Sequence, residues 1–296
     1  MALPHELRQR LLGAGDSAIA VSSDRRAYRF CRRLAFGHYE NFPVASLAFG
    51  AMRDDIAAIY AFARLADDIA DEWSAPPDVK LAALDRLERW LDDPPPMHPI
   101  ARALSRTIER RSLPLDPLKR LLAAFRYDAA FVPFPTEAAL EAYCWNSAAP
   151  IGEMLLRMAG QWSQQTAALS DAFCAGLQVL NFWQDIATDW QRHRITAPLE
   201  WLGGDHPPSW EQLCADRALR QHLSNCYEQM SARLLGSGAG LAESLPGGRL
   251  RFQVRATCAT ARLVWQRCVQ RGDNFAVRPR LHWWDIRRIV WAMVFG

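Results

Sequence analysis

The sequence predicts an all-α protein organised as one helical domain over residues 1–296. Three observations predict it. Apolar residues recur at helical spacing along most of the chain. No stretch joins strict apolar–polar alternation to hairpin turn residues. Prolines and glycines gather between the periodic segments, where a helix would have to stop.

Taken in order, the periodicity predicts helices over roughly 17–40, 52–73, 78–92, 98–111, 115–131, 137–160, 167–191, 209–234, 249–271 and 282–294. Pro76-Pro77 closes the second, Pro94-Pro95-Pro96 the third, and Pro114 with Pro117 the fourth. Pro133 with Pro135 and Pro207-Pro208 mark later breaks, and Gly236, Gly238, Gly240 and Pro246-Gly247-Gly248 mark another. Pro150 falls inside the segment read as 137–160. It should kink that helix, while Gly152 lets a neighbouring group come close. No repeat, low-complexity segment or long polar linker divides the chain, which is why one domain is expected.

Half of the residues are hydrophobic and 23% are charged, a composition that folds. A net charge of +3 calls for no nucleic-acid partner and leaves an anionic small substrate open. Lys80 and Lys119 are the only lysines, so the cationic groups are almost all guanidinium, suited to bidentate phosphate contacts. Seven scattered cysteines without metal-finger spacing read as reduced, mostly buried thiols of a cytoplasmic protein. The opening MALPHELRQRLLGAG mixes acidic and basic residues, so no secretion signal is expected. The longest apolar stretches, Val44 to Met52 and Ile289 to Gly296, fall far short of the ~20 residues that span a bilayer. Membrane contact, if made, would be peripheral, on the inner face.

Two segments carry chemistry. In AIYAFARLADDIADEW, Tyr60, Arg64, Asp67 or Asp68, and Asp71 recur every three or four residues on one helical face. In LQVLNFWQDIATDW, Gln178, Asn181, Asp185 and Asp189 do the same. Carboxylates one turn apart repel, and a bound divalent cation offsets the repulsion. Oxygen-only donors suit Mg²⁺ shared with water and a substrate phosphate. One D-x-x-x-D is a commonplace of solvated helices. Two, each in an apolar helix with further polar groups on its face, predict a metal-rich diphosphate site with apolar walls.

At these residues the chain resembles the squalene and phytoene synthase family, over about Tyr39 to Phe275. Asp67-Asp68-Ile69-Ala70-Asp71, with Tyr60 and Arg64 before it, is similar to the family's first metal and diphosphate site. Asn181, Asp185 and Asp189 are similar to its second. The stretches ENFPVAS (Glu40 to Ser46), FRYD (Phe125 to Asp128), NSAAPIG (Asn146 to Gly152) and NFWQD (Asn181 to Asp185) resemble its bacterial hopanoid-cluster branch, the hydroxysqualene synthases. The resemblance implies an isoprenoid-synthase helical bundle with a central cavity. It implies a Mg²⁺-dependent enzyme that ionises presqualene diphosphate and captures the rearranged cation with water, in squalene and hopanoid biosynthesis. The alternative is a squalene or phytoene synthase condensing two farnesyl or geranylgeranyl diphosphates. A non-catalytic assembly factor of the same fold would be expected to have lost its acidic residues, and both pairs are intact. Other enzymes of the squalene pathway are the partners the resemblance suggests.

The expected metal ligands are Asp67, Asp68, Asp71, Asn181, Asp185 and Asp189. Departure of diphosphate needs positive charge on the leaving group and a dry cavity around the hydrocarbon. Arg64, then Arg53, then Arg194 are expected to meet diphosphate, with Gln178 beside the second pair. Phe42, Tyr60, Tyr143 and Phe182 are candidates to face the cation with their rings. The chain departs from the family where Arg-x-Tyr-x-Pro is usual: it reads Arg194-Ile195-Thr196-Ala197-Pro198. Thr196 is expected to leave room for water there. The final segment LHWWDIRRIVWAMVFG places Trp283, Trp284 and Trp291 near Arg287 and Arg288, a pattern suited to an amphipathic helix lying at a membrane surface.

Overall fold

A computed structural model describes residues 5–12, 19–36, 50–282, 284–286 and 289. The expected roles of Phe42, the ENFPVAS stretch, Trp283, Arg287, Arg288 and Trp291 lie outside the described residues. Among the described residues every regular element is helical. The chain forms two compact units. The first comprises residues 1–130 and 154–160, the second 131–153 and 161–296.

In the first unit the helices are α1 (His5–Leu12), α2 (Asp24–Phe36), α3 (Arg53–Asp67), α4 (Pro77–Asp92), α5 (Pro99–Arg111) and α6 (Asp116–Ala129). A short 3₁₀ turn, Gly50–Met52, leads into α3, and a π-helical turn, Asp68–Glu72, ends it. Helices α2, α3 and α5 pack on one another. Phe62, Leu65, Ile69, Leu84, Leu87, Ile100, Leu104 and Leu118 are fully buried in the core of this unit. Pro77 and Pro117, read as breaks between helices, sit instead, like Pro99, in a first helical turn, where the missing N–H costs nothing. The helix over 5–12 was not visible in the periodicity, because its eight residues offer barely two turns of pattern.

Helix α1 is held by charge and by hydrogen bonds. Arg8 Nη1 donates to Asp68 Oδ2 at 2.6 Å, and both side chains are buried. The His98 ring lies 3.1 Å by Nε2 from the Leu11 carbonyl and accepts the Ala101 N–H on Nδ1 at 3.3 Å, capping α5. Burial pushes this imidazole down to about 4, so it is neutral and works as a cap and a tether.

The second unit comprises α7 (Glu137–Ser147), α9 (Gln164–Gln191), α10 (Leu199–Leu202), α11 (Trp210–Ala215), α12 (Arg217–Ser237), α13 (Leu241–Ser244) and α14 (Arg249–Arg271); α8 (Ala149–Met158) begins here. The long helix α9 is its centre, packed by α12, α7 and α14. A Cβ at Gly176 would lie 2.9 Å from the Leu235 backbone nitrogen, so glycine lets α12 come this near to α9. Ser163 starts α9 with a reciprocal capping box to Thr166.

Two helices expected to be continuous are divided. The segment 137–160 breaks at Ala148, two residues before Pro150, because the ring cannot continue the hydrogen-bond ladder of the preceding helix. The segment 209–234 breaks at Asp216, whose carboxylate accepts the Leu219 N–H at 2.9 Å and begins α12 afresh. No described helix is long and apolar enough to cross a membrane. All seven cysteines are free, but Cys31, Cys144 and Cys268 alone are buried and Cys214 is exposed, fewer buried thiols than expected.

Candidate functional site

The first acidic segment straddles the end of α3 and the π turn. Arg53, Tyr60, Arg64, Asp67 and Asp71 line its accessible face, while Ala58, Phe62, Leu65 and Ile69 face the core. Arg64 Nη1 donates to Asp67 Oδ2 at 2.8 Å, so a guanidinium already lies on the first carboxylate. Burial pushes the Tyr60 phenol up, against the pull of Arg64 and with that of Asp67. A π turn is wider than an α turn and often marks a functional position. Here Lys80 Nζ donates to the Ala70 carbonyl at 2.7 Å within that turn.

The π turn separates residues that the sequence could not tell apart. Asp71 is exposed and Asp67 is partly exposed. Asp68, expected among the metal ligands, is fully buried and paired with Arg8, which takes it out of the accessible donor set. Its part is to anchor α1 under the segment.

The second acidic segment lies on α9. Gln178, Asp185 and Asp189 are half-buried and Asn181 is exposed, all on one face, while Val179, Leu180, Phe182, Trp183 and Ile186 are buried. Asp185 receives a two-pronged contact from Arg278: Nε donates to Oδ1 and Nη2 donates to Oδ2, the latter at 3.0 Å. Arg278 is held in the charged form above its usual range, first by that hydrogen bond and further by the charges of Asp185 and Asp189.

The segment that brings Arg278 to Asp185 follows α14 and is tied down along its length. Gly272, at φ 57°, turns the chain out of the helix. Ser224 Oγ donates to the Gly272 carbonyl at 3.2 Å, and Arg220 binds Asp273 through its carbonyl at 3.1 Å and its carboxylate at 3.3 Å. Gln184 Nε2 donates to the Pro279 carbonyl at 2.5 Å, and Arg267 donates to the Arg280 carbonyl. Arg271, its charge disfavoured by burial, donates to the Trp183 carbonyl at 2.9 Å and stacks over Phe275.

Around this helix end the expected aromatic residues are placed as follows. Arg194 Nη2 donates to the Tyr143 hydroxyl at 3.2 Å, and the Tyr143 and Phe182 rings lie 6.0 Å apart. Thr196 departs from expectation. It is buried, and its hydroxyl meets the Tyr227 hydroxyl of α12 at 3.1 Å, so its polar group is already partnered rather than open to water. At Gly152 a Cβ would lie 2.3 Å from Ser170 Oγ, which bears out the expected close approach.

The donors suit Mg²⁺. Asp67 and Asp71 in one unit, and Asp185 and Asp189 with the amide oxygen of Asn181 in the other, offer oxygen only, and each segment already holds a cationic group on its first carboxylate. Among the described residues no three acidic, His or Cys side chains converge into a complete metal cluster.

Sequence reasoning missed Arg8, Gln184, Tyr227 and Arg278. Each acts through a partner between 31 and 95 residues away in the chain, so no local spacing announces it.

The family model described as Squalene/phytoene synthase matches residues 36–287. The hydroxysqualene synthases of Sinorhizobium fredii and Rhodopseudomonas palustris are each 36% identical to the chain over 248 residues, covering 82% of it and 83% of the relative. The crystal structure of squalene synthase HpnC from Alicyclobacillus acidocaldarius superposes with a TM-score of 0.75 at 31% identity, over 84% of this chain and 95% of that one. The chain therefore belongs to the squalene/phytoene synthase family of isoprenoid-synthase enzymes.

Proposed function

We propose that the protein converts presqualene diphosphate and water to hydroxysqualene and diphosphate, with Mg²⁺ bound at both acidic segments. The observation that carries the reading is the pair of accessible carboxylates in each unit, Asp67 with Asp71 and Asp185 with Asp189, each with a guanidinium on its first member. The likeness to hydroxysqualene synthases at 36% identity supports the choice of reaction.

In the proposed reaction the C–O bond to diphosphate breaks and its electron pair leaves with the diphosphate. A water oxygen forms the new C–O bond to the rearranged cation and gives up one proton. Mg²⁺ supplies positive charge to the leaving oxygens. Asp67 and Asp71 would hold it at the first segment, and Asp185 and Asp189, with Asn181 as a neutral donor, at the second. Arg64 and Arg53 lie on the accessible face of the first segment and add hydrogen-bonding charge for diphosphate. Arg194, braced by Tyr143, does so near the second. The buried ring of Phe182 gives the wall beside the second segment an apolar surface. Asp68 is proposed as an anchor rather than a ligand. The two compact units are taken as parts of one catalytic domain acting from the cytoplasm.

The second reading is a squalene synthase that condenses two farnesyl diphosphates, favoured by the likeness to the squalene synthase HpnC of Alicyclobacillus acidocaldarius. One experiment separates the two. Purified protein with Mg²⁺ is given presqualene, farnesyl or geranylgeranyl diphosphate, each with and without NADPH, and the lipids are identified by mass. Hydroxysqualene from presqualene diphosphate without NADPH is expected. Efficient NADPH-dependent squalene formation from farnesyl diphosphate would transfer the assignment to the condensing synthase, and phytoene from geranylgeranyl diphosphate would transfer it to the carotenoid branch.

A further inference from the structure

We propose that Arg278 is a built-in counter-cation of the second acidic segment, which a divalent cation must displace from Asp185 in order to bind. The inference rests on the reading of Asp185 and Asp189 as Mg²⁺ ligands.

Four observations carry it. The guanidinium meets both carboxylate oxygens of Asp185, the atoms a metal ion would take. Its side chain and that of Asp185 remain partly exposed, at 44% and 30%, so an ion can reach the carboxylate and the arginine has somewhere to go. The backbone beside it does not have to move: Gln184 holds the Pro279 carbonyl, Arg267 holds the Arg280 carbonyl, and Arg220 holds Asp273. Finally, the residue that fixes Pro279 is the immediate neighbour of the carboxylate that Arg278 covers, so loop and ligand are registered on one turn of α9.

The physical consequence is a competition. Two carboxylates one turn apart on α9 repel when unoccupied, and the guanidinium relieves that repulsion, holding Asp185 in place before the metal arrives. A cation that takes Asp185 must break two hydrogen bonds to Arg278, so the metal's apparent affinity is lowered by the strength of that pair. The freed guanidinium stays beside the occupied site, tethered by its anchored backbone, where a diphosphate oxygen bound to the same metal would give it a new partner. Arg278 is thus a positioning residue: it sets when the carboxylate is available and keeps a positive charge within reach of the leaving group.

The test uses Mn²⁺ as the probe, counted by the electron paramagnetic resonance of the free ion, in full-length protein carrying Asp67→Asn so that the second segment reports. Three further variants are built on that parent: Arg278→Gln, Arg278→Lys and Asp185→Asn. The expected result is that Arg278→Gln binds Mn²⁺ about fivefold more tightly than the parent, that Arg278→Lys, keeping a charge but one prong, falls between them, and that Asp185→Asn loses the site. Equal or weaker binding by Arg278→Gln, with the site still lost in Asp185→Asn, would overturn the proposal and leave the metal assignment standing. Unchanged binding in Asp185→Asn would overturn both. A second measurement needs no substituted arginine to fold: the Arg278 Nε–H resonance of the wild-type protein is expected to shift in step with Mg²⁺ saturation, and a resonance that stays fixed through saturation would contradict displacement.

Discussion

The two acidic segments reach the same arrangement by opposite routes. At the first, the guanidinium on Asp67 comes from Arg64, three residues earlier on the same helix. At the second, the guanidinium on Asp185 comes from Arg278, 93 residues later in the chain. The first helix leaves α geometry at its acidic motif, turning Asp68 into the core against Arg8 and leaving Asp67 and Asp71 on the outside. The second stays α-helical and keeps all its polar residues on one face. A local device places one guanidinium and a tertiary device places the other. Local devices can be read from spacing, whereas tertiary ones must be seen.

If both segments serve one reaction, Asp67→Asn and Asp185→Asn should each lower kcat by about 10³-fold, the scale of losing a charge aimed at a developing anion. Each should shift stability by less than about 0.5 kcal/mol, because both carboxylates are partly exposed. Turnover assays beside urea melts decide it. Loss of activity in one variant alone would reduce the other segment to a solvated face.

The comparison sharpens at the ion pairs. Arg8→Met leaves a carboxylate in the core and should cost on the order of 3 kcal/mol, whereas Arg278→Met breaks an accessible pair and should cost less than about 1 kcal/mol. Equal shifts in the urea midpoint would contradict the division into anchor and exchangeable cation.

Acid should loosen the first segment through α1. His98 titrates near 4 in the folded protein against 6.5 when unfolded, so the unfolded chain binds the proton first. The stability this group contributes is complete above about pH 6.5 and is lost as pH falls toward 4, by at most about 3 kcal/mol. His98→Asn, which can still cap α5, should flatten the stability curve over that window. An unchanged slope in pH-dependent urea melts would remove His98 as its source.

A moderate effect is expected in the second unit, at the close approach of α8 to α9. Gly152→Ala places a methyl 2.3 Å from Ser170 Oγ and 2.8 Å from Cys174 Sγ and should cost about 1–2 kcal/mol. A neutral result would mean that those two side chains turn aside freely.

Most of the architecture was legible because the signals were local. Prolines marked the gaps between helices, and the 3.6-residue rhythm gave α9 with its polar face. The division at Asp216 was not read, because the apolar rhythm runs across it, although aspartate is a favoured N-cap residue. What could not be read depended on distance. Asp67 and Asp68 are chemically identical neighbours, and only Arg8, arriving from α1, distinguishes the buried one. Thr196 looked like vacant space because its partner, Tyr227, lies on another helix. Arg278 sits among several arginines near the end of the chain, and nothing in its neighbours marks it as the one that reaches Asp185.

The central claim is that these segments hold the metal that lets diphosphate leave. It is tested most directly by following diphosphate release from presqualene diphosphate after Mg²⁺ is stripped with EDTA and then restored. The account predicts no release without the metal, and on its return one diphosphate for each hydroxysqualene formed. Release at the full rate in EDTA would contradict it.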